Sequence, residues 1–291
     1  MSGHYESYYV RAVDPQRPRA AWIRHTVLQR PGGPPSGSLW STIWDAGNGP
    51  PKTHKITPAL ARHDDWLTIG DAHFGPGRIT GPGHDLRFEP LAPPLRHLPH
   101  PALYRAPLPR TKLESPAPAA RVSGTAGDLT LDGWPGMVGH NWGAQHAERW
   151  LWLHGIAFAG DPDAWLDLAV GRLRIAGRDT PWVANGAVHL RGTTHRLGGM
   201  RTPVTVDADP RRATVTLANA TRIEVSSPPG QTVAWVYADP PGGEHHSLNC
   251  SIAALGVHHA GADRHTAHGG VYELGTRDRD HGIPVAPFPD P

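Results

Sequence analysis

The chain has 291 residues, with 28 basic against 26 acidic side chains and 38% hydrophobic residues, enough for two domains with cores of their own. Basic and acidic residues are interspersed, with no Lys/Arg run, which excludes a nucleic-acid interface built on a basic stripe. The 34 Gly and 32 Pro approach low-complexity levels, but 11 Trp argue for buried surface, so Gly and Pro read as turn punctuation.

Period-two alternation starts at once and predicts strands over 5–13, 22–28 and 38–44. In the third, Leu39, Ser41 and Ile43 point one way and Trp40, Thr42 and Trp44 the other. A short helix is expected over 57–64, with Pro58 in its first turn. Strands follow over 66–69 and 87–91. The Pro-, Leu- and His-rich run 90–118 reads as a linker or a long crossing loop. Further strands are expected over 150–158, 164–175, 187–190, 204–206, 213–217, 222–225, 233–237 and 247–255, separated by turn clusters such as 228–230. The charged, Pro-rich end, 276–291, reads as a loosely held tail. Many short strands without a long amphipathic helix predict an all-β sandwich or barrel.

Cys250 is the one cysteine, which rules out a disulfide within the chain and reads as a reduced, half-buried thiol. Met1–Ser7 has no apolar signal-peptide core, and no apolar run approaches the roughly 18 residues a membrane helix needs. The expectation is a cytoplasmic protein without stable membrane insertion. Among the 20 His, the pairs His245/His246, His258/His259 and His265/His268 sit in Gly-, Ala- and Asp-rich surroundings, and no metal site is expected of them. The chain has no Gly-x-Gly-x-x-Gly unit for a nucleotide and no Gly-x-Ser-x-Gly elbow for a serine hydrolase, so the expected cofactor set is none.

The least ordinary segment is 136–156, where Gly139 and Gly143 flank His140-Asn141-Trp142, and Trp150, Trp152 and His154 then alternate along a strand. Such a strand can wall a cavity with aromatic faces and a few polar tips. Asp167 follows inside the apolar strand Trp165-Leu166-Asp167-Leu168, where desolvation would raise its pKa and fit it for acid catalysis. His140 titrates near neutrality and is the candidate to hold water or take a proton. Trp142, Trp152 and Trp165, with His154, are candidate binding walls whose π faces can shelter a cation. Trp40, Trp44, Trp235 and Tyr237 complete the binding set, with plain core packing as their alternative.

These residues resemble the carotenoid hydratase, tocopherol cyclase and AttH group of lipocalin-like proteins. His140-Asn141-Trp142-Gly143 resembles its His-x-Trp-Gly element, Trp150 and Trp152 its Trp-x-Trp strand, and Trp165 and Asp167 its aromatic-x-Asp strand. Tyr5-Glu6-Ser7-Tyr8-Tyr9 and Trp22–Thr26 resemble its opening strands, and Gly269–Gly275 its closing strand. The resemblance implies two lipocalin-like β-barrel or β-sandwich domains, here expected over 1–175 and 176–291, with a pocket for an apolar small molecule. It further implies an enzyme without metal or nucleotide. Asp167 would protonate a double bond for hydration, cyclisation or isomerisation, or the pocket would only fold a polyene for cycloaddition, as lipocalin-like Diels–Alderases do. A non-catalytic carrier or sensor of the same molecule is the alternative, since fold does not fix function.

Overall fold

The computed structural model describes residues 3–57, 61–62, 65–175, 177–218 and 220–288. The chain divides into two compact units. One comprises Met1–Pro94, Arg110–His146 and Ala238–Gly243; the other comprises Leu95–Pro109, Ala147–Tyr237 and Glu244–Pro291. This is not the division expected at residue 175. Residues 149–172 go with the later chain because their strands pair there, Trp150–Gly155 lying against Gly270–Gly275.

The strands are β1 (His4–Val13), β2 (Arg19–Gln29), β3 (Pro35–Asp45), β4 (Lys52–Ile56), β5 (Ala61–Arg62), β6 (Leu67–Ile69), β7 (Ala72–Gly75), β8 (Arg78–Gly81), β9 (His84–Pro90), the two-residue β10 (Leu95–Arg96), β11 (Thr111–Ala126) and β12 (Leu129–Gly143). The first unit is one antiparallel sheet in the order β4-β3-β2-β1-β12-β11-β9-β8-β7-β6-β5. It curls until β6 meets β3. A Cβ on Gly37 would fall 2.5 Å from Ile69 Cγ2, so glycine is what lets the two strands close up. Val10, Ile23, Leu39, Phe74, Leu86 and Val138 are among the side chains of the core. Period two explains these elements, since each strand turns alternate residues to that core.

The run 90–118 is neither all linker nor all loop, because β11 begins at Thr111. Pro116 and Pro118 fall within two of its three register shifts, Glu114 to Ala117 and Ala117 to Ala120, where the ladder tolerates a missing N–H. Of the helix expected over 57–64, Ala61–Arg62 is strand and Thr57 lies outside any element. Residues 58–60 and 63–64 lie outside the described residues.

The second unit adds β13 (Arg149–Gly155), β14 (Trp165–Arg172), the hairpin β15 (Arg174–Ile175) and β16 (Arg178–Asp179), β17 (Val183–Leu190), β18 (Thr193–Gly198), β19 (Val204–Ala208), β20 (Arg212–Leu217), β21 (Thr221–Ser226), β22 (Val233–Ala238), β23 (Glu244–His259) and β24 (Ala262–Thr276). Its sheet runs β18-β17-β14-β13-β24-β23-β21-β20-β19, with β22 paired to β23. The architecture is all-β, two curled sheets forming two lipocalin-like domains. Cys250 is fully buried rather than half-buried.

The tail is strapped down, not loose. His246 Nδ1 lies 2.7 Å from His281 Nε2, Ala286 N–H donates to Ala234 O at 2.8 Å, and Phe288 stacks on Trp235 at 6.2 Å. Arg277 adds a 3.1 Å bond to Glu148. Among the described residues no helix is long and apolar enough to cross a membrane.

Candidate functional site

The register of the second sheet sorts its side chains. Leu151 and Leu153 of β13, Leu166 and Leu168 of β14 and Leu274 of β24 take one face. Trp150, Trp152 and His154 take the other, as do Trp165, Asp167 and Glu273. On that face Asp167 sits directly opposite His154, and Glu273 opposite Trp152, on either side of β13. Parity along each strand puts Trp152 with His154 and Trp165 with Asp167, and the pairing of His154 with Asp167 puts the two pairs on one face.

Asp167 is fully buried, at 0% exposure. Trp152 Nε1–H donates to its Oδ1 at 3.1 Å, and His97 Nε2 lies 3.3 Å from its Oδ2. His97 is itself buried, and its Nδ1 lies 3.0 Å from the backbone oxygen of Asn185. Arg196 projects from β18 across Ala187, which is the partner of Asp167 on β17. Its Nη2 donates to His97 O at 3.1 Å, and burial holds its pKa below the usual value against the opposing charges of Tyr104 and Asp167. A second carboxylate, Glu273, accepts Trp150 Nε1–H at 2.9 Å and Asn249 Nδ2–H at 3.1 Å. The Trp150 ring lies parallel to Tyr237 at 6.3 Å, which brings Tyr237 to this face. Trp165 stacks on His189 at 6.0 Å.

His140 and Trp142 belong to the first unit. His140 lies between the carboxylates of Glu6 (Nε2, 2.8 Å) and Glu114 (Nδ1, 3.3 Å), and its ring is stacked on Tyr8 at 3.9 Å and on Trp142 at 4.3 Å. Burial alone would lower its pKa, but the hydrogen bonds and charges of Glu114 and Glu6 outweigh that and raise it. An ionised carboxylate only accepts, so the two glutamates favour the charged ring, in which both nitrogens donate. His140 and Asp167 are thus held in different units, each by partners of its own.

The remaining expected residues pack as core. Trp40 donates to Ser38 Oγ at 2.7 Å under the Lys55 ammonium, 4.0 Å from its ring, and Trp44 is fully buried. Trp235 is the anchor of the tail. A cavity of about 520 Å³ lies elsewhere, lined by Asp207, Thr214, Glu224, Gly256 and His265 of β19, β20, β21, β23 and β24, and none of the expected residues borders it. Sequence reading missed His97, Glu114 and Glu273. Glu273 sits in Val271-Tyr272-Glu273-Leu274, an acid in an apolar strand like Asp167, and that signal could have found it. Nothing local marks His97.

Two Mycobacterium tuberculosis proteins are 30% identical over 246 residues, covering 72% of this chain and 73% of theirs. They are uncharacterized protein Rv0493c of strain ATCC 25618 / H37Rv and uncharacterized protein MT0513 of strain CDC 1551 / Oshkosh. The crystal structure of a candidate AttH (NE1406) from Nitrosomonas europaea is similar over 94% of this chain and 92% of that one, with a TM-score of 0.54 at 12% identity. That likeness shows the fold, an AttH-like lipocalin type. No family model matches the chain.

Proposed function

The chain belongs to the family of these two mycobacterial proteins, and we propose that it is a cofactor-independent enzyme acting on a largely apolar, isoprenoid- or polyketide-like molecule at the Trp-rich face of its second sheet. The observation that carries this reading is Asp167, fully buried with an indole N–H on one carboxyl oxygen and an imidazole on the other. Burial favours the protonated acid, the indole N–H opposes it by donating to the carboxylate, and the imidazole gives the proton a defined place. In the reaction the π electrons of a C=C bond form a C–H bond with that proton. The cation left on the other carbon is sheltered by the faces of Trp152 and Trp165. It collapses by losing a proton from a neighbouring carbon, after ring closure where a second alkene attacks, or by adding water and losing a proton from it. The carboxylate takes the proton back, and no net acid is consumed. Isomerisation, cyclisation and hydration are the three outcomes, those of the carotenoid hydratase and tocopherol cyclase chemistry that the motifs resemble.

The carrier reading rests on a different observation: Trp152 and His97 already satisfy Asp167, as a structural cluster would. Incubating geranylgeraniol, an isoprenoid with trisubstituted alkenes, in D2O separates the two. An enzyme incorporates carbon-bound deuterium, and Asp167→Asn slows this by about 10²–10⁴-fold, the range for a general acid, with binding little changed. Wild type that binds the alcohol without deuterating it sinks the enzyme. If the protein only orients a polyene, Trp165→Ala harms binding and rate together and Asp167→Asn is nearly silent.

A further inference from the structure

We propose that His97 and Asp167 form a single proton-holding dyad, in which His97 is a positioning residue that keeps the proton on the shared Nε2–Oδ2 bond. The inference deepens the catalytic reading above and rests on it for its use in turnover. The argument starts from the tautomer. His97 Nδ1 lies 3.0 Å from Asn185 O, and a carbonyl oxygen can only accept, so Nδ1 carries a hydrogen. Nε2 is then the nitrogen that gains or loses a proton, and it faces Asp167 Oδ2 at 3.3 Å. Trp152 engages the other oxygen, Oδ1, from its indole N–H, so each carboxyl oxygen has its own directed partner.

With one proton in the shared bond the pair is neutral overall, whether written as imidazole and acid or as imidazolium and carboxylate. Without it, an imidazole lone pair points at a carboxylate oxygen in a fully buried place, and both groups lose their mutual hydrogen bond. With a second proton the pair becomes a buried cation. The singly protonated form is therefore the resting one, and a proton given to an alkene carbon from Oδ2 is returned to the same bond. One proton therefore serves both groups. Other charged or titratable groups face the pair. Arg196 from β18 bonds His97 O, Tyr104 lies near that guanidinium, and His154 stands opposite Asp167 on β13.

The test uses the full chain, with 15N imidazole and 13C carboxyl NMR over about pH 4 to 9, a span around the ordinary Asp and His values. In the wild type, His97 Nδ1 should stay protonated throughout, and Nε2 and the Asp167 carboxyl carbon should share their midpoints. His97→Gln should move the Asp167 midpoint by at least a pH unit, a tenfold change in proton affinity. Asp167→Asn, which leaves the His97–Asn185 anchor in place should His97→Gln fail to fold, should move the His97 midpoint as far. Independent midpoints, unmoved by either substitution, overturn the dyad, as does a wild-type Nδ1 without its hydrogen. The geranylgeraniol experiment separates the two readings. Shared midpoints without deuterated product keep the dyad and sink the enzyme. Deuterated product with independent midpoints keeps the enzyme and sinks the dyad.

Discussion

Gly275→Ala tests whether the Trp-rich face is a fitted assembly. The indole of Trp150 lies over Gly275, and a Cβ there would fall 2.0 Å from Cε2 and 2.1 Å from Cδ2. The indole cannot shift without stretching its 2.9 Å bond to Glu273. If it stays, the overpacking costs about 1–3 kcal/mol. If it leaves, a hydrogen bond to a charged group is lost, about 1.5–3 kcal/mol. Replacing any glycine by alanine also removes unfolded-chain freedom, a gain of about 0.4–1 kcal/mol. Gly256→Ala in β23 supplies the control, since the nearest atom to a Cβ there would be His265 Cδ2 at 4.0 Å. The entropy gain is common to both, so the gap between the two variants isolates the clash, and about 1–3 kcal/mol is expected. Urea midpoints at unchanged slope measure it, and the Trp150 indole N–H resonance reports which route is taken. A gap under about 0.5 kcal/mol with that resonance still protected would show the fit to be loose and refute the reasoning.

Three further outcomes are expected. The His140 pKa is raised on folding, so its stabilisation is full below its ordinary value of 6.5 and is lost as pH rises through the folded value. Wild-type melting temperature should decline over that rise relative to His140→Gln, and parallel curves would count against the imidazolium. His246 and His281 have lowered values, chiefly through burial, so the unfolded chain binds protons more readily and stability falls as pH drops below 6.5. Relative to an unstructured peptide cut at the same pH, the tail near Arg277 and Arg279 should be cut by trypsin faster at about pH 5 than at about pH 8, and equal relative rates would exclude a His246–His281 latch. Gly37→Ala, with Ile69 in the way, should destabilise by about 1–3 kcal/mol in thermal unfolding, and a neutral result would mean that β3 and β6 do not close on one another.

Local alternation made most strands legible, because burial on a pleated sheet repeats every second residue. It also placed Trp152 with His154 and Trp165 with Asp167. What alternation does not carry is register between strands distant in sequence. Whether the two pairs share a face depends on His154 lying opposite Asp167, and that is decided by pairing. β11 escaped because Pro116 and Pro118 read as strand breakers, although two bulges accommodate them. His97 escaped for a plainer reason. It comes from a Pro-rich stretch and meets Asp167 seventy positions later, a contact with no trace in local pattern. The tail looked loose from charge and proline alone, while its anchors, Trp235 and His246, lie far upstream.

The placement of β12 and β24 in the middle of their sheets has a consequence for the newborn chain. β1 waits for Leu129–Gly143 before it has a second neighbour, and β13 waits for Ala262–Thr276. At ribosomal speeds of about 5–20 residues per second, each wait lasts on the order of 6–25 s. Through it, Trp150 has neither Gly275 to lie on nor Glu273 to bond. A ribosome stalled shortly before residue 270 would therefore present an incomplete sheet with an open, aromatic seam, the kind of nascent surface that chaperones capture.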